Sequence, residues 1–250
     1  MNATGIFAFF FTCVVTYSLA FPGIHPDDEV KFRIVGGVDG NIEEYPYSVS
    51  IRDENNGHTC GGTLINSEYV ITAAHCVASG KERSVVIGSA YLNNGGTSTK
   101  PVSTHVHPDF DRLWLRNDIA VLQIEKQTSY ESSFPARMQT NFSDYENPCY
   151  VMGWGATTAT GYPSKIFKVA AVQPVTPKKC HEAWKGIYYP RLICTTSEGN
   201  ATCVGDSGGP LICENKLAGV VCFGEPCGTG KPDTFTAISY YNDWIDSIIN

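Results

Sequence analysis

The stretch Cys203-Val204-Gly205-Asp206-Ser207-Gly208-Gly209-Pro210 decides how this chain is interpreted. Glycines before and after leave the Ser207 hydroxyl sterically bare beside a row of backbone N–H groups, which is the layout of a nucleophile with its own oxyanion hole. A glycine-rich surface turn has the same pattern, because G-x-S-x-G also occurs by chance. The assignment of a nucleophile therefore depends on partners elsewhere in the chain.

The order of those partners restricts the fold. All six histidines precede Ser207, whereas the α/β-hydrolase fold needs its histidine after the serine, so that fold is excluded. His75 follows the apolar, strand-like Tyr69-Val70-Ile71, and Asp118 begins an apolar run in which a carboxylate needs compensating hydrogen bonds. Singly, His75 could be a core histidine and Asp118 a turn cap. Together with Ser207 they indicate a catalytic trio.

Six motifs in order give the chain a wider resemblance, which covers residues 34–250. They resemble those of the trypsin and chymotrypsin family of secreted serine endopeptidases: Ile34-Val35-Gly36-Gly37, Cys60-Gly61-Gly62, Thr72-Ala73-Ala74-His75-Cys76, Asn117-Asp118-Ile119-Ala120, Gly153-Trp154-Gly155 and Gly205-Asp206-Ser207-Gly208-Gly209-Pro210. The resemblance implies an all-β fold of two packed six-stranded antiparallel β-barrels, with the active site in the cleft between them.

Local patterns agree with such a fold. Short apolar stretches separated by Gly, Asn and Pro turns favour barrels or sandwiches. The predicted strands are Tyr47 to Arg52, Gly62 to Ile65, Val85 to Ile87, Ile119 to Ile124, Tyr150 to Trp154, Lys168 to Val172, Pro210 to Cys213 and Leu217 to Phe223. Near the end, Trp244, Ile245, Ile248 and Ile249 recur with helical spacing, which predicts an amphipathic C-terminal α-helix over residues 240–249.

The first 33 residues predict processing. Residues 1–20 are interpreted as a cleaved signal peptide, because an apolar run ends in small residues; a retained anchor is the alternative. Residues 21–33 resemble an activation peptide ending at Arg33, and residues 34–250 form the peptidase domain. Without residues 1–33 the net charge is −6, since two of 18 basic and three of 25 acidic residues are removed. Nucleic acid and membrane are therefore not expected as partners.

Ten cysteines in an exported chain indicate disulfides, and nine remain after the signal peptide. The resemblance implies the pairs Cys60–Cys76, Cys149–Cys213, Cys180–Cys194 and Cys203–Cys227. Cys222 is then left free. It is interpreted as a small buried residue that fills space; a redox role is the alternative, but buried thiols are usually inert. A zinc site of Cys60, His75 and Cys76 competes with the first pair. No metal or cofactor is expected, and residues 88–100 contain no acid to bind calcium.

The resemblance assigns roles to the trio. Ser207 attacks a peptide carbonyl, His75 transfers the proton, Asp118 orients the imidazole, and the N–H groups of Gly205 and Ser207 form the oxyanion hole. It also implies a zymogen, in which cleavage after Arg33 frees the Ile34 ammonium to pair with Asp206. A trypsin-like activating protease, protein or peptide substrates, protein inhibitors and a monomeric state are expected.

The specificity pocket departs from the trypsin pattern. Its floor is Ala201, followed by Thr202, where trypsin-like members have an aspartate at the floor; its wall is Cys222-Phe223-Gly224, where Ser-Trp-Gly is common. Asp233 stands where most relatives have glycine. Broad specificity of the collagenolytic arthropod type, with Asp233 binding basic residues, and a chymotrypsin-like pocket with Asp233 solvated both remain open.

Three functions fit the resemblance. An active endopeptidase is favoured because the trio, Asp206 and the Ile34 terminus are all present. A binding or regulatory protein on the same scaffold usually lacks one of these. A venom or salivary toxin would differ only in where it is expressed. Two glycosylation sequons begin at Asn141 and Asn200, of which the first is the plausible acceptor.

Overall fold

A computed structural model describes residues 36–127, 138, 147–197, 199–225, 227–228 and 230–250. The signal peptide, the activation peptide with Arg33, Ile34 and the sequon residue Asn141 lie outside the described residues. No helix among those described is long and apolar enough to cross a membrane.

The described part is mostly strand. In chain order the elements are β1 (Val38–Asp39), β2 (Ser48–Arg52), β3 (His58–Leu64), β4 (Tyr69–Thr72), α1 (Ala74–Val77), β5 (Ser84–Ile87), β6 (Thr97–Thr99), β7 (Pro101–Val106), β8 (Ala120–Ile124), β9 (Cys149–Gly153), β10 (Lys168–Val172), β11 (Pro174–Val175), α2 (Pro177–Ala183), β12 (Leu192–Thr195), β13 (Pro210–Cys213), β14 (Lys216–Phe223), β15 (Asp233–Ala237) and, after a 3-10 turn at Ile238–Tyr240, α3 (Asn242–Ile249).

These strands form two antiparallel sheets. The first has the order β6-β5-β2-β3-β4-β8-β7, and the second has the order β1-β10-β9-β13-β14-β15-β12-β11. The all-β prediction is confirmed, but the sheets contain seven and eight strands rather than six each. The short β6 extends the first sheet, and the two-residue strands β1 and β11 extend the second.

The core explains why these segments are strands. Apolar residues of β2, β4 and β8 are completely or almost completely buried, and they share one cluster with residues of the second sheet and of α3. A second cluster fills the interior of β9, β10, β13 and β15. The C-terminal helix begins at Asn242, two residues later than predicted, because Ile238–Tyr240 forms the 3-10 turn. Its buried residue Ile245 lies in the first cluster.

Candidate active site

His75 and Asp118 meet at one edge of the first sheet. His75 lies in the four-residue helix α1 directly after β4, and Asp118 lies just before β8, the strand that pairs with β4. The His75 Nδ1–H donates to Asp118 Oδ2 at 2.6 Å, and the His75 backbone N–H donates to Oδ1 at 2.8 Å. The Asp118 side chain is fully buried, while that of His75 is 25% exposed. The carboxylate thus fixes both the tautomer and the orientation of an accessible imidazole.

Asp118 has two further partners from the second sheet. The Cys222 thiol lies 3.1 Å from Oδ2, and the Thr236 hydroxyl donates to the Asp118 backbone carbonyl at 3.0 Å. Cys222 is a buried free cysteine, and burial raises the pKa of its thiol well above the usual value. The thiol therefore stays protonated and donates to the carboxylate, although a thiol is a weaker donor than a hydroxyl.

The Ser207 loop is held by its carbonyl groups. The backbone oxygens of residues 203 to 207 each accept a hydrogen bond, from Asp206 N, Ala156 N, His58 Nε2, Gly209 N and Gly61 N respectively. Among the described residues, the N–H groups of Gly205 and Ser207 donate to no protein acceptor. Gly205 has φ +98°, a conformation that favours glycine. Two free donors therefore flank the Ser207 side chain.

Asp206 is buried directly beneath this loop. Its carboxylate accepts hydrogen bonds from Gly155 N and Cys203 N, both at 2.9 Å. Burial nevertheless raises the pKa of Asp206 to about 7. A methyl group on Gly155 would lie 2.3 Å from the Asp206 carboxyl carbon, so only glycine fits there. No cation among the described residues pairs with Asp206.

A cavity of about 390 Å³ opens beside Ser207. Of the predicted pocket residues, Thr202, Cys222, Phe223 and Gly224 line it, together with Ala159, Val204 and Glu225. Ala201 and Asp233 do not belong to the lining, and both are buried, with exposures of 0% and 1%. The predicted wall residues therefore line the cavity, whereas Ala201, the predicted floor, is buried and does not reach the cavity surface.

Asp233 stands immediately behind that wall. Its Oδ2 accepts the Thr202 N–H at 2.6 Å, and its Oδ1 lies close enough to Gly224 that a methyl group there would be 2.6 Å from it. Burial raises the pKa of Asp233 to about 6, although the hydrogen bonds from Thr202 act in the opposite direction. No basic side chain of the described part pairs with Asp233. One glycine thus separates this carboxyl group from the cavity.

Four disulfides are formed by the pairs that the resemblance implies: Cys60–Cys76, Cys149–Cys213, Cys180–Cys194 and Cys203–Cys227. The competing zinc site fails on this arrangement. Ligand atoms of Cys60, His75 and Cys76 lie within 4.8 Å of one another, but the two sulfurs are bonded to each other and cannot bind a metal as thiolates.

The sequon residue Asn200 is engaged in the fold. Its side-chain amide donates to the Ala171 carbonyl at 2.8 Å. Its Oδ1 lies beside Gly36, where a methyl group would approach it to 2.1 Å. The Asn200 side chain therefore leaves no room for a side chain at residue 36.

Two site features were missed in the sequence. Thr236 holds the backbone of Asp118, and His58 Nε2 contacts the Gly205 carbonyl at 2.9 Å. Neither residue belongs to a motif quoted above, although His58 lies two positions before Cys60. The His58 contact joins residues that are 147 positions apart in the chain. Only the three-dimensional pairing of the sheets could identify them.

Comparison with known proteins gives consistent matches. The sequence profile of the family described as Trypsin matches residues 34–245. Trypsin 5G1 of Aedes aegypti is 35% identical over 225 residues, which cover 86% of this chain and 85% of that protein. Trypsin II-P29 of Gallus gallus is 32% identical over 97% of this chain and 98% of its own length. The vitellin-degrading protease of Bombyx mori is 34% identical over 87% and 86%, respectively.

Proposed function

The chain belongs to the trypsin family and is a serine endopeptidase that acts on protein substrates, and on this premise we propose that it is secreted as a zymogen and uses Ser207, His75 and Asp118 as its triad. The observation that carries the proposal is the His75 imidazole bound through Nδ1 to a buried Asp118. This bond leaves Nε2 as the nitrogen available to accept a proton.

The reaction proceeds in two halves. Ser207 Oγ attacks the substrate carbonyl carbon while His75 Nε2 takes its proton, and the same nitrogen then protonates the leaving amine. Water repeats the sequence to release the acyl group. Asp118 stabilises the imidazolium that forms in each half. Cys222 holds the carboxylate by a third hydrogen bond, in addition to the two from His75.

Negative charge develops on the substrate oxygen in each tetrahedral intermediate. The free N–H groups of Gly205 and Ser207 supply two donors of the kind that stabilises such an oxyanion. Each donor contributes roughly 3 to 4 kcal/mol to the transition state in comparable sites. Because the loop carbonyls are already bound elsewhere, these donors need no reorganisation during the reaction.

Activation follows from the burial of Asp206. A buried carboxylate without a cation is costly to ionise, and burial raises the pKa of Asp206 to about 7. Cleavage after Arg33 creates an Ile34 ammonium that pairs with Asp206 and offsets this cost. Secretion is supported by the four disulfides, which persist in oxidising compartments. A trypsin-like protease is the proposed activator, protein protease inhibitors are further partners, and the mature enzyme is a monomer.

The cavity supports broad specificity. Its lining beside Ser207 is largely apolar, with Val204, Phe223 and Gly224, which suits Leu, Phe or Tyr before the cut. Asp233 adds a carboxyl group one glycine away, which suits Arg or Lys. We expect neither class to be favoured by more than about tenfold, or roughly 1.4 kcal/mol. A chymotrypsin-like preference is the alternative, and it requires that Asp233 not reach the substrate.

The deciding experiment compares the activated protein with its Ser207→Ala variant. The variant should fold normally and lose several orders of magnitude in kcat, since only binding and the oxyanion hole remain. Diisopropyl fluorophosphate should label Ser207 in the parent protein and nothing in the variant. Undiminished peptide cleavage by a folded Ser207→Ala protein would show that the proposed nucleophile is wrong.

A further inference from the structure

A row of polar side chains leads away from residues 203 to 207, which we call the oxyanion loop because it carries the N–H groups of Gly205 and Ser207. His58 Nε2 lies 2.9 Å from the Gly205 carbonyl, and His58 Nδ1 lies 2.9 Å from the Ser50 hydroxyl. The Arg52 Nε–H donates to the same hydroxyl at 3.3 Å. Ser50 and Arg52 are 2% and 6% exposed. We call these three side chains the Arg52–Ser50–His58 relay.

The backbone of the first sheet builds this relay. Ser50 and Arg52 are two residues apart on β2, so their side chains leave the same face of the strand. His58 begins the neighbouring strand β3 and pairs with Arg52, next to a register shift between Ile51 and Arg52. The Arg52 guanidinium also donates through Nη1 to Asn56 Oδ1 at 3.1 Å, in the turn that joins β2 to β3. The Arg52 guanidinium is thereby held through two of its nitrogens, Nε and Nη1.

The chemistry of the two ends allows only one direction for the hydrogen bonds. A carbonyl can only accept, so His58 Nε2 must carry the hydrogen that reaches Gly205. Burial lowers the pKa of His58 to about 4, so the ring is neutral and Nδ1 is an acceptor. Ser50 must then donate to Nδ1. Its lone pairs remain to accept from Arg52, which has donors only.

The direction of these hydrogen bonds matters because the last of them binds the Gly205 carbonyl in the oxyanion loop. Among the described residues, the Gly205 carbonyl is the only one of the five carbonyls of this loop that accepts a hydrogen bond from a side-chain N–H. Gly205 also packs against the His58 ring, since a methyl group at Gly205 would lie 3.4 Å from it. If the ring carried its hydrogen on Nδ1 instead, the unprotonated Nε2 and the Gly205 carbonyl would be two acceptors facing each other, and the Gly205 peptide would lose its anchor.

We propose that Arg52 is a positioning residue for catalysis: by binding Ser50 it fixes the orientation of His58, which holds Gly205 with its N–H directed at the oxyanion. The inference rests on the proposed function, because it concerns the proposed oxyanion hole. It assigns a role in the reaction to a side chain that contacts neither the substrate nor the triad.

Two substitutions at Arg52 distinguish the effect of its Nε–H donor from that of the rest of the side chain. In Arg52→Gln the amide Nε2 occupies the same position along the side chain as the arginine Nε, so the bond to Ser50 is kept without the charge. In Arg52→Met an apolar carbon occupies that position. Removing a whole oxyanion donor costs about 100- to 1,000-fold in kcat, so loosening one should cost about three- to tenfold.

The expected result is a selective loss in kcat. Arg52→Met should lower kcat by about three- to tenfold with KM unchanged, because the oxyanion forms only in the transition state. The affinity for a peptide boronic acid that binds Ser207 should fall by the same factor. Arg52→Gln should restore kcat to within about twofold of the parent value. An unchanged kcat in Arg52→Met, or an equal loss in Arg52→Gln, would overturn the proposal.

Two additional measurements keep the test decisive. If Arg52→Met does not fold, Ser50→Ala breaks the relay at its next link, and an unchanged kcat in that variant would contradict the proposal. Independently of turnover, ¹⁵N shifts of histidine-labelled Ser207→Ala protein should show His58 protonated at Nε2 alone. A His58 protonated at Nδ1 would also overturn it. Absence of all peptidase activity in the parent would instead refute the proposed function and leave this ¹⁵N measurement valid.

Discussion

The preference for basic over apolar residues before the cut should increase with pH through the titration of Asp233. Burial raises the pKa of this carboxyl group from 3.8 to about 6, so it is charged above that pH and neutral below it. The shift means that ionising Asp233 costs roughly 3 kcal/mol more than in water. A lysine or arginine side chain in the cavity would offset part of this cost, whereas a phenylalanine would not.

The magnitude follows from the charged fraction. An acid with a pKa of about 6 is roughly one-tenth ionised at pH 5 and almost fully ionised at pH 8. The kcat/KM for an Arg substrate, divided by that for a matched Phe substrate, should therefore rise about tenfold over this range, since kcat/KM reports the free enzyme. Taking the ratio removes every titration that both substrates share.

The assay needs two peptides that differ only at the residue before the cut, measured from pH 5 to pH 8. Asp233→Asn keeps the shape of the side chain and should give a low ratio that does not change with pH. Asp233→Gly should selectively lose basic substrates and keep aromatic ones. A parent ratio that is flat across this range, or one unaffected by Asp233→Asn, would mean that Asp233 does not act on the substrate, and the chymotrypsin-like interpretation would then hold.

Three further predictions concern the surrounding groups. Cys222→Ser should raise kcat a few-fold with KM unchanged, because a hydroxyl donates more strongly to Asp118 by on the order of 1 kcal/mol; a slower variant would contradict this role. Gly155→Ala should lower the melting temperature and the activity, since overpacking against Asp206 costs about 1 to 3 kcal/mol; an unchanged melting temperature would contradict this packing. Arg33→Gln should stay latent after trypsin treatment, and full activity in protein that still begins at Phe21 would exclude zymogen control.

The strand predictions were most accurate for segments that have turns at both ends. Lys168–Val172 and Pro210–Cys213 were predicted to the residue. Asp233–Ala237 was not among the predicted strands, since three of its five residues are polar, yet all five are buried. Its threonines are tolerated inside the sheet because Thr234 and Thr236 donate to the Phe223 and Asp118 carbonyls. Such partners come from distant segments and leave no local pattern.

The same distinction applies to the site. The residues of the trio were recognisable because each lies in a short motif with its own chemistry. The helix α2 also had a local signal, since Thr176 caps its N-terminus and Pro177 follows. The relay had none: Ser50, Arg52 and His58 acquire their roles from the register between β2 and β3 and from a loop far along the chain. Pairing geometry of this kind is not encoded in any single window of sequence.

The packing of α3 has a consequence for how the protein is synthesised. Ile245 and Tyr241 lie in the same core cluster as apolar residues of β2, β4 and β8, and the Tyr241 hydroxyl donates to Asn117, immediately before Asp118. The first sheet is translated early, but its core is complete only when residues 241–245 have left the ribosome. Until then the nascent chain exposes apolar surface that is open to aggregation. The histidine and aspartate of the site thus depend on a segment that is made long after them.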